Sequence, residues 1–248
     1  MDELKLLTSK ISDLSRLCLK NGYPAFSKFL DATQKARVSG VKAPGCTYFS
    51  FGGYAEAERT IMGCFPDGYY DEAVYRQMFP LCMLELLPSD PQGLTHRDYL
   101  GSLMGLGISR ECIGDIVVTE EQAYVFCIED IAEFLLTNLD KIGRCSVKVK
   151  ICDGAKLPEK KLQRLSVTVA SDRIDCIIAQ VRGCSRNQAE ELIRTGRVMV
   201  NYLPAEDGSK RLKPGDTVSV RGFGKFIYTG SLGETKKGRL KINYDLYK

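Results

Sequence analysis

Apolar residues at Leu4, Leu7, Ile11, Leu14 and Leu17–Cys18 recur every three to four positions, which predicts an amphipathic helix over residues 4–20, stopped by Asn21-Gly22. Pro24 suits the first turn of a second helix that would carry Phe26, Phe29 and Leu30 to about Ala36. Beyond Pro44-Gly45, the runs Thr47–Phe51 and Thr60–Phe65 read as strands around a Gly52-Gly53 break. Pro66-Asp67-Gly68 is a turn, and residues 71–79 form a closing helix.

From residue 81 the periodicity changes. Leu81–Leu87 is an apolar strand ended by Pro88-Ser89-Asp90-Pro91. Thr95–Leu106 is a helix with Thr95 as N-cap, Asp98 at the capping-box position, and Gly105 and Gly107 at its end. Strands follow at Ile113–Val118 and Ala123–Ile128, then a helix at Glu129–Leu139 with acidic residues at its N-terminal end, then a strand at Ser146–Cys152. The order β-α-β-β-α-β is that of a ferredoxin-like or RRM-like domain. An RNA-reading sheet of this type needs aromatic rings on its central strands. Tyr124 and Phe126 are the candidates, on one face of one strand, and packing against the helices is the competing reading.

Asp153-Gly154 through Lys161 reads as a polar linker, followed by a strand at Leu165–Val169. Ser171 to Val181 carries a helix broken at Gly183. Ser185 then caps a second helix, with Gln188 in the capping-box position, and Gly196 ends it. Val198–Asn201 and Thr217–Arg221 are strands on either side of a Leu212–Asp216 turn. The expected fold class is α+β in three parts: residues 1–80 as a mixed α/β domain, 81–157 as an RRM-like domain, and 163–248 as a small basic domain.

Composition narrows the chemistry. The chain has 248 residues, ten Cys, no Trp and one His. A single His excludes sites built on two histidines. No two cysteines have the spacing of a zinc finger or a redox Cys-x-x-Cys, so reduced, mostly buried thiols are expected, with no metal or other cofactor. The amino end lacks the pattern of a signal peptide, and no apolar run approaches a membrane span, so a soluble cytoplasmic protein without a membrane partner is expected. The formal net charge of +4 is divided unevenly. Residues 1–162 carry 19 Lys+Arg and 22 Asp+Glu, net −3, and residues 163–248 carry 16 and 9, net +7. A basic terminal third on a near-neutral body suits a nucleic-acid anchor.

The basic third carries a motif. Arg173-x-Asp175, Ser185-Arg186-x-x-Ala189, Leu192-Ile193-x-x-Gly196-x-Val198-x-Val200-Asn201 and Leu212-Lys213-x-Gly215-Asp216, leading to Val218-x-Val220-Arg221-Gly222, resemble the RNA-binding domain first described in small-subunit ribosomal protein S-four. The resemblance covers about 50 residues; where that pattern has Gly after Asn, this chain has Tyr202. Phosphate suits a helix N-terminus and bidentate arginine. The motif positions and this chemistry together make the candidate RNA contacts Arg173, Asp175, Arg182, Ser185, Arg186, Asn187, Arg194, Arg197, Lys213, Arg221 and Lys225. His96 and Arg97, exposed in a first helical turn, form a second candidate set with Tyr124 and Phe126.

The middle segment Leu94-Thr95-His96-Arg97-Asp98-Tyr99-Leu100-Gly101-Ser102-Leu103-Met104-Gly105-Leu106-Gly107-Ile108, then Ile113-Gly114-Asp115-Ile116, is similar to the signature of the bacterial YlmH family. Val220-Arg221-Gly222-Phe223-Gly224 and Thr235-Lys236-Lys237-Gly238-Arg239 fit as well. That resemblance implies a factor that binds the large ribosomal subunit, with its ribosomal RNA and peptidyl-tRNA, in rescue of stalled nascent chains by ribosome-associated quality control.

The rival class is an RNA-modifying enzyme, a pseudouridine synthase or methyltransferase using the same domain as an anchor. No Gly-Arg-Leu-Asp motif occurs, and Gly105-x-Gly107 and Gly222-x-Gly224 lack the strand-to-helix context of a cofactor loop. His96-Arg97-Asp98 mimics a kinase catalytic loop, but no phosphate-binding loop precedes it. The sequence reading is a non-enzymatic RNA binder with no small-molecule substrate.

Overall fold

A computed structural model of the chain describes residues 3–68, 71–154, 157–158 and 161–247. It divides into two compact units, Met1–Pro158 and Glu159–Lys248. The linker expected at 153–161 lies partly outside the described residues.

In the first unit, α1 (Glu3–Asn21) packs on a three-stranded antiparallel sheet of β1 (Ala25–Leu30), β2 (Cys46–Phe51) and β3 (Thr60–Pro66), ordered β1-β3-β2. α2 (Ala32–Val38) follows β1, and α3 (Glu72–Gln77) follows β3. The second helix expected from Pro24 is therefore a strand and then a helix. Its helix-like spacing of Phe26, Phe29 and Leu30 has a physical cause: the β1–β3 register slips between Phe26 and Phe29, so the side-chain alternation is broken by a bulge. The true helix begins at Asp31, which caps it reciprocally with Gln34.

The remainder of the unit is β4 (Leu81–Pro88), α4 (His96–Gly105), β5 (Ile113–Val118), β6 (Ala123–Ile128), α5 (Ala132–Asn138), the short β7 (Lys141–Ile142) and β8 (Cys145–Ile151). The sheet order is β5-β6-β4-β8-β7, the ferredoxin-like arrangement with one added edge strand. Along these strands alternate residues face two cores. Leu84, Leu86, Val125 and Cys127 face the helices, with Tyr99, Leu103 and Leu135. Phe126 faces the other way, into an aromatic core with Phe29, Ile61, Phe65 and Phe79. The first three strands thus cover the sheet face that an RRM leaves open. Glycine permits this contact at Gly53, whose φ is +99° and where a Cβ would fall 2.3 Å from the Phe126 ring.

The second unit is a six-stranded antiparallel sheet with two helices. β9 (Leu162–Val169) leads into α6 (Ile174–Arg182) and α7 (Arg186–Arg194). These are followed by β10 (Val198–Val200), β11 (Leu203–Pro204), β12 (Thr217–Val220), β13 (Gly224–Glu234) and β14 (Leu240–Tyr247), in the order β11-β10-β12-β13-β14-β9. Ile177, Ile178, Ala189, Leu192 and Ile193 seal the helices onto Val198, Val218, Phe226 and Ile242. Each large apolar side chain buried this way contributes about 1.5–3 kcal/mol. Among the described residues no helix is long and apolar enough to cross a membrane.

Candidate nucleic-acid interface

The strongest constellation lies where α6 and α7 begin. Arg173 occupies the N-cap of α6, so its side chain leaves the helix at its end. Two residues on, Asp175 is fully buried. Its carboxylate accepts from Arg173 Nε at 3.0 Å and Nη2 at 2.8 Å, from Arg186 Nε at 2.8 Å and from the Cys176 N–H at 2.8 Å. Burial alone would raise the pKa of this carboxyl, but the two guanidiniums and the amide outweigh it and hold it at about 2. The same carboxylate raises the pKa of both arginines, chiefly through these hydrogen bonds. The clamp occupies one edge of each guanidinium. Arg173 and Arg186 remain 34% and 52% exposed, leaving further N–H donors toward solvent.

The motif position of Asp175 predicts an RNA contact. The structure corrects this: a carboxylate with no exposed surface touches no ligand, and its role is to position two arginines.

The two helix ends differ. The first amides of α6 are consumed by the chain segment above them, Ile174 N–H to the Lys210 carbonyl and Asp175 N–H to that of Gly208. At α7, Ser185 and Gln188 form the reciprocal box, with Gln188 N–H to Ser185 Oγ at 3.2 Å and Ser185 N–H to Gln188 Oε1 at 2.9 Å. The amides of Arg186 and Asn187 have no acceptor among the described residues, and both residues are exposed. This positive helix end, beside the Arg186 side chain, has the donors a phosphate requires.

The other candidates divide. Arg182 and Arg197 line one cleft at the far ends of the two helices, and the Arg221 amide bonds the Arg197 carbonyl at 2.9 Å. Arg194 is exposed but forked onto Glu191 at 2.7–2.9 Å. Lys213 is exposed in a turn closed by its own amide on Asp216. Lys225 lies over the Tyr247 ring at 4.5 Å and the Tyr202 ring at 5.6 Å. Tyr202 and Asn201 form the two-residue β10–β11 turn with φ of 65° and 49°, so the turn keeps its left-handed form without the glycine.

In the first unit, His96 and Arg97 are exposed at the start of α4, whose Thr95 N–H and Oγ1 both donate to Asp98 Oδ2 at 2.7 Å. Tyr124 and Phe126 are interior, 8% and 2% exposed, and Phe126 stacks on Tyr54 with ring centroids 5.1 Å apart. Neither ring is open to a base, and Phe126 is covered by the first three strands rather than by the helices.

Two clusters escaped sequence reasoning because their members are far apart in the chain. The thiols of Cys18, Cys46 and Cys64 converge within 4.8 Å of one another, a soft-metal geometry. Burial pushes the Cys18 thiol up to about 11 and raises Cys64 as well, so at neutral pH they are small apolar groups. The second cluster joins Arg59 and Arg110. Arg59 Nε donates to the Ile113 carbonyl at 3.0 Å, and its Nη2 to those of Arg110 and Phe29 at 3.2 and 3.4 Å. Burial lowers the pKa of both, and the neighbouring Arg59 charge helps bring Arg110 down to about 10.

A family model for an RNA-binding domain found in YlmH matches residues 77–156, and the S4 domain model matches residues 172–218. The chain is 31% identical over 224 residues to ribosome-associated protein quality control protein P2 of Bacillus subtilis (strain 168), covering 89% of this chain and 86% of that protein. It shares its fold with the solved cell division protein ylmH from Streptococcus pneumoniae, with a TM-score of 0.52 and 21% identity over 62% of this chain and 93% of that one. With both domains in chain order and a relative matched over nearly its whole length, the chain belongs to the YlmH family of S-four-domain proteins.

Proposed function

We propose that this chain is a non-enzymatic RNA-binding factor that docks on the large ribosomal subunit, through its ribosomal RNA and the bound peptidyl-tRNA, in ribosome-associated quality control. The observation that carries the reading is the Asp175 clamp, which presents Arg173 and Arg186 beside the open amides of α7. A pair of guanidiniums fixed by a buried anion is pre-organised for phosphate oxygens and loses little freedom on binding. Contacts of this kind read the shape of a folded RNA rather than its sequence. Arg182, Arg197 and Arg221 extend the surface, with Arg194, Lys213 and Lys225 at its margins. In this reading residues 163–248 are the anchor, and residues 1–80 and 81–157 are the body it carries. His96 and Arg97 are a secondary phosphate contact. The relative's printed name, which places it on the ribosome in protein quality control, supports the setting.

The test is crosslinking of the protein in cells of its source, followed by sequencing of the bound RNA. Enrichment of large-subunit ribosomal RNA together with tRNA is expected. Recovery of messenger or small-subunit RNA alone contradicts the proposal.

A further inference from the structure

A cavity of about 550 Å³ opens in the first unit between α1, β1 and the turn at residues 109–111. That size suits a small ligand or a single nucleotide. Four cations line it, Lys10, Lys28, Arg59 and Arg110, against the carboxylates of Asp31 and Glu111. Both carboxylates are engaged: Glu111 accepts from Lys28 Nζ at 2.7 Å, and Asp31 accepts the Gln34 amide at 2.8 Å. Asp115, behind the wall, accepts from Tyr54 Oη and from the amides of Glu58 and Arg59 at 2.7–3.0 Å. Among the described residues the two guanidiniums bond only to carbonyl oxygens, Arg110 Nη1 reaching those of Ile113 at 2.6 Å and Gly114 at 3.2 Å. Among the described residues no carboxylate lies within 4.0 Å of either.

Half-buried arginines are normally paired with a carboxylate, because an ion removed from water needs a counter-charge. Here two share one wall, bonded directly to carbonyl dipoles while Asp31 and Asp115 act on them only from beyond ion-pair distance, and the open position for a direct counter-charge is on the cavity side. We propose that this cavity binds a phosphate group, with Arg59 and Arg110 as its fork, Lys10 as an outer cation, and Leu7 and Leu14 as the apolar wall beside it. The phosphate belongs either to a free nucleotide or to a nucleotide of RNA; the ligand is the same chemistry in both cases.

The test uses the full chain carrying Arg173→Ala and Arg186→Ala, so the surface proposed on the second unit is disabled and its failure is not confused with this one. Binding is measured by calorimetry with inorganic phosphate, adenosine monophosphate and a short single-stranded RNA. Saturable binding is expected, weakened about tenfold or more by Arg110→Gln, which removes a charged donor, and several-fold by Lys10→Ala. Lys10 is exposed on α1, so its variant folds even where Arg110→Gln does not. Tighter binding of the monophosphate identifies a free nucleotide, and tighter binding of the oligomer identifies RNA. Absence of saturable binding for all three ligands overturns the proposal, as does binding left unchanged by Lys10→Ala and Arg110→Gln.

Discussion

Arg173 and Arg186, one at the end of each helix of the basic unit, meet on the same oxygen: each holds Oδ2 of Asp175 at 2.8 Å. A carboxylate with no exposed surface thereby sets the direction of two exposed cations.

Replacing that carboxylate tests the clamp. Asp175→Asn keeps the shape but removes the charge, and hydrogen bonds to charged groups are worth about 1.5–3 kcal/mol each. A loss of about 2 kcal/mol in denaturant unfolding is expected. RNA affinity should fall as well, although both arginines remain, because their guanidiniums lose their fixed orientation.

The clamp also predicts an acid profile. The folded pKa of Asp175 is depressed to about 2, below the unfolded value of about 3.9. Its contribution to stability is therefore complete above about 4 and is lost as pH falls toward 2. Unfolding free energy measured across that window should decline less steeply in Asp175→Asn than in the native chain.

The N-cap of α7 gives a separable effect. Ser185→Ala removes the acceptor of the Gln188 amide and should cost about 1 kcal/mol in thermal unfolding. Ser185→Asp should restore the cap, while its negative charge at the proposed phosphate site weakens RNA binding. Ser185→Asp thus keeps native stability while losing affinity.

The covered sheet predicts the opposite separation. Phe126→Ala opens the aromatic core shared with Phe29, Phe65 and Phe79, a change that costs about 3–5 kcal/mol. RNA affinity measured under conditions where the variant is folded should be unchanged. A stacking role for Phe126 would instead show as weaker binding with little loss of stability.

Much of this fold is legible in the sequence where local signals agree with burial. The capped helix at Thr95 and Asp98, the strand pairs around it, and the Ser185 box all follow from short-range patterns. The misreadings come from positions where a pattern has two physical sources. Phe26, Phe29 and Leu30 carry helical spacing because a bulge breaks the strand alternation. The long β13–β14 hairpin escapes a period-two reading because its register shifts beside Gly230 and Gly233. Asp175 sits in the RNA-binding motif, yet only the three-dimensional neighbourhood separates a residue that touches RNA from one that aims its neighbours. The run Ala123–Ile128 puts Tyr124 and Phe126 on a strand, but no local pattern announces that another sheet lies over Phe126. The Arg59–Arg110 and Cys18–Cys46–Cys64 clusters are assembled only by tertiary contacts, so spacing rules miss them.

The central claim is tested most directly by co-sedimentation of the protein with separated ribosomal subunits over a range of salt. The native chain should travel with the large subunit, with log affinity falling linearly against log salt. Arg173→Ala combined with Arg186→Ala should abolish co-migration at moderate salt and reduce the salt slope by about two, one for each phosphate contact removed. Undiminished co-migration of that double variant, with an unchanged slope, would contradict the account.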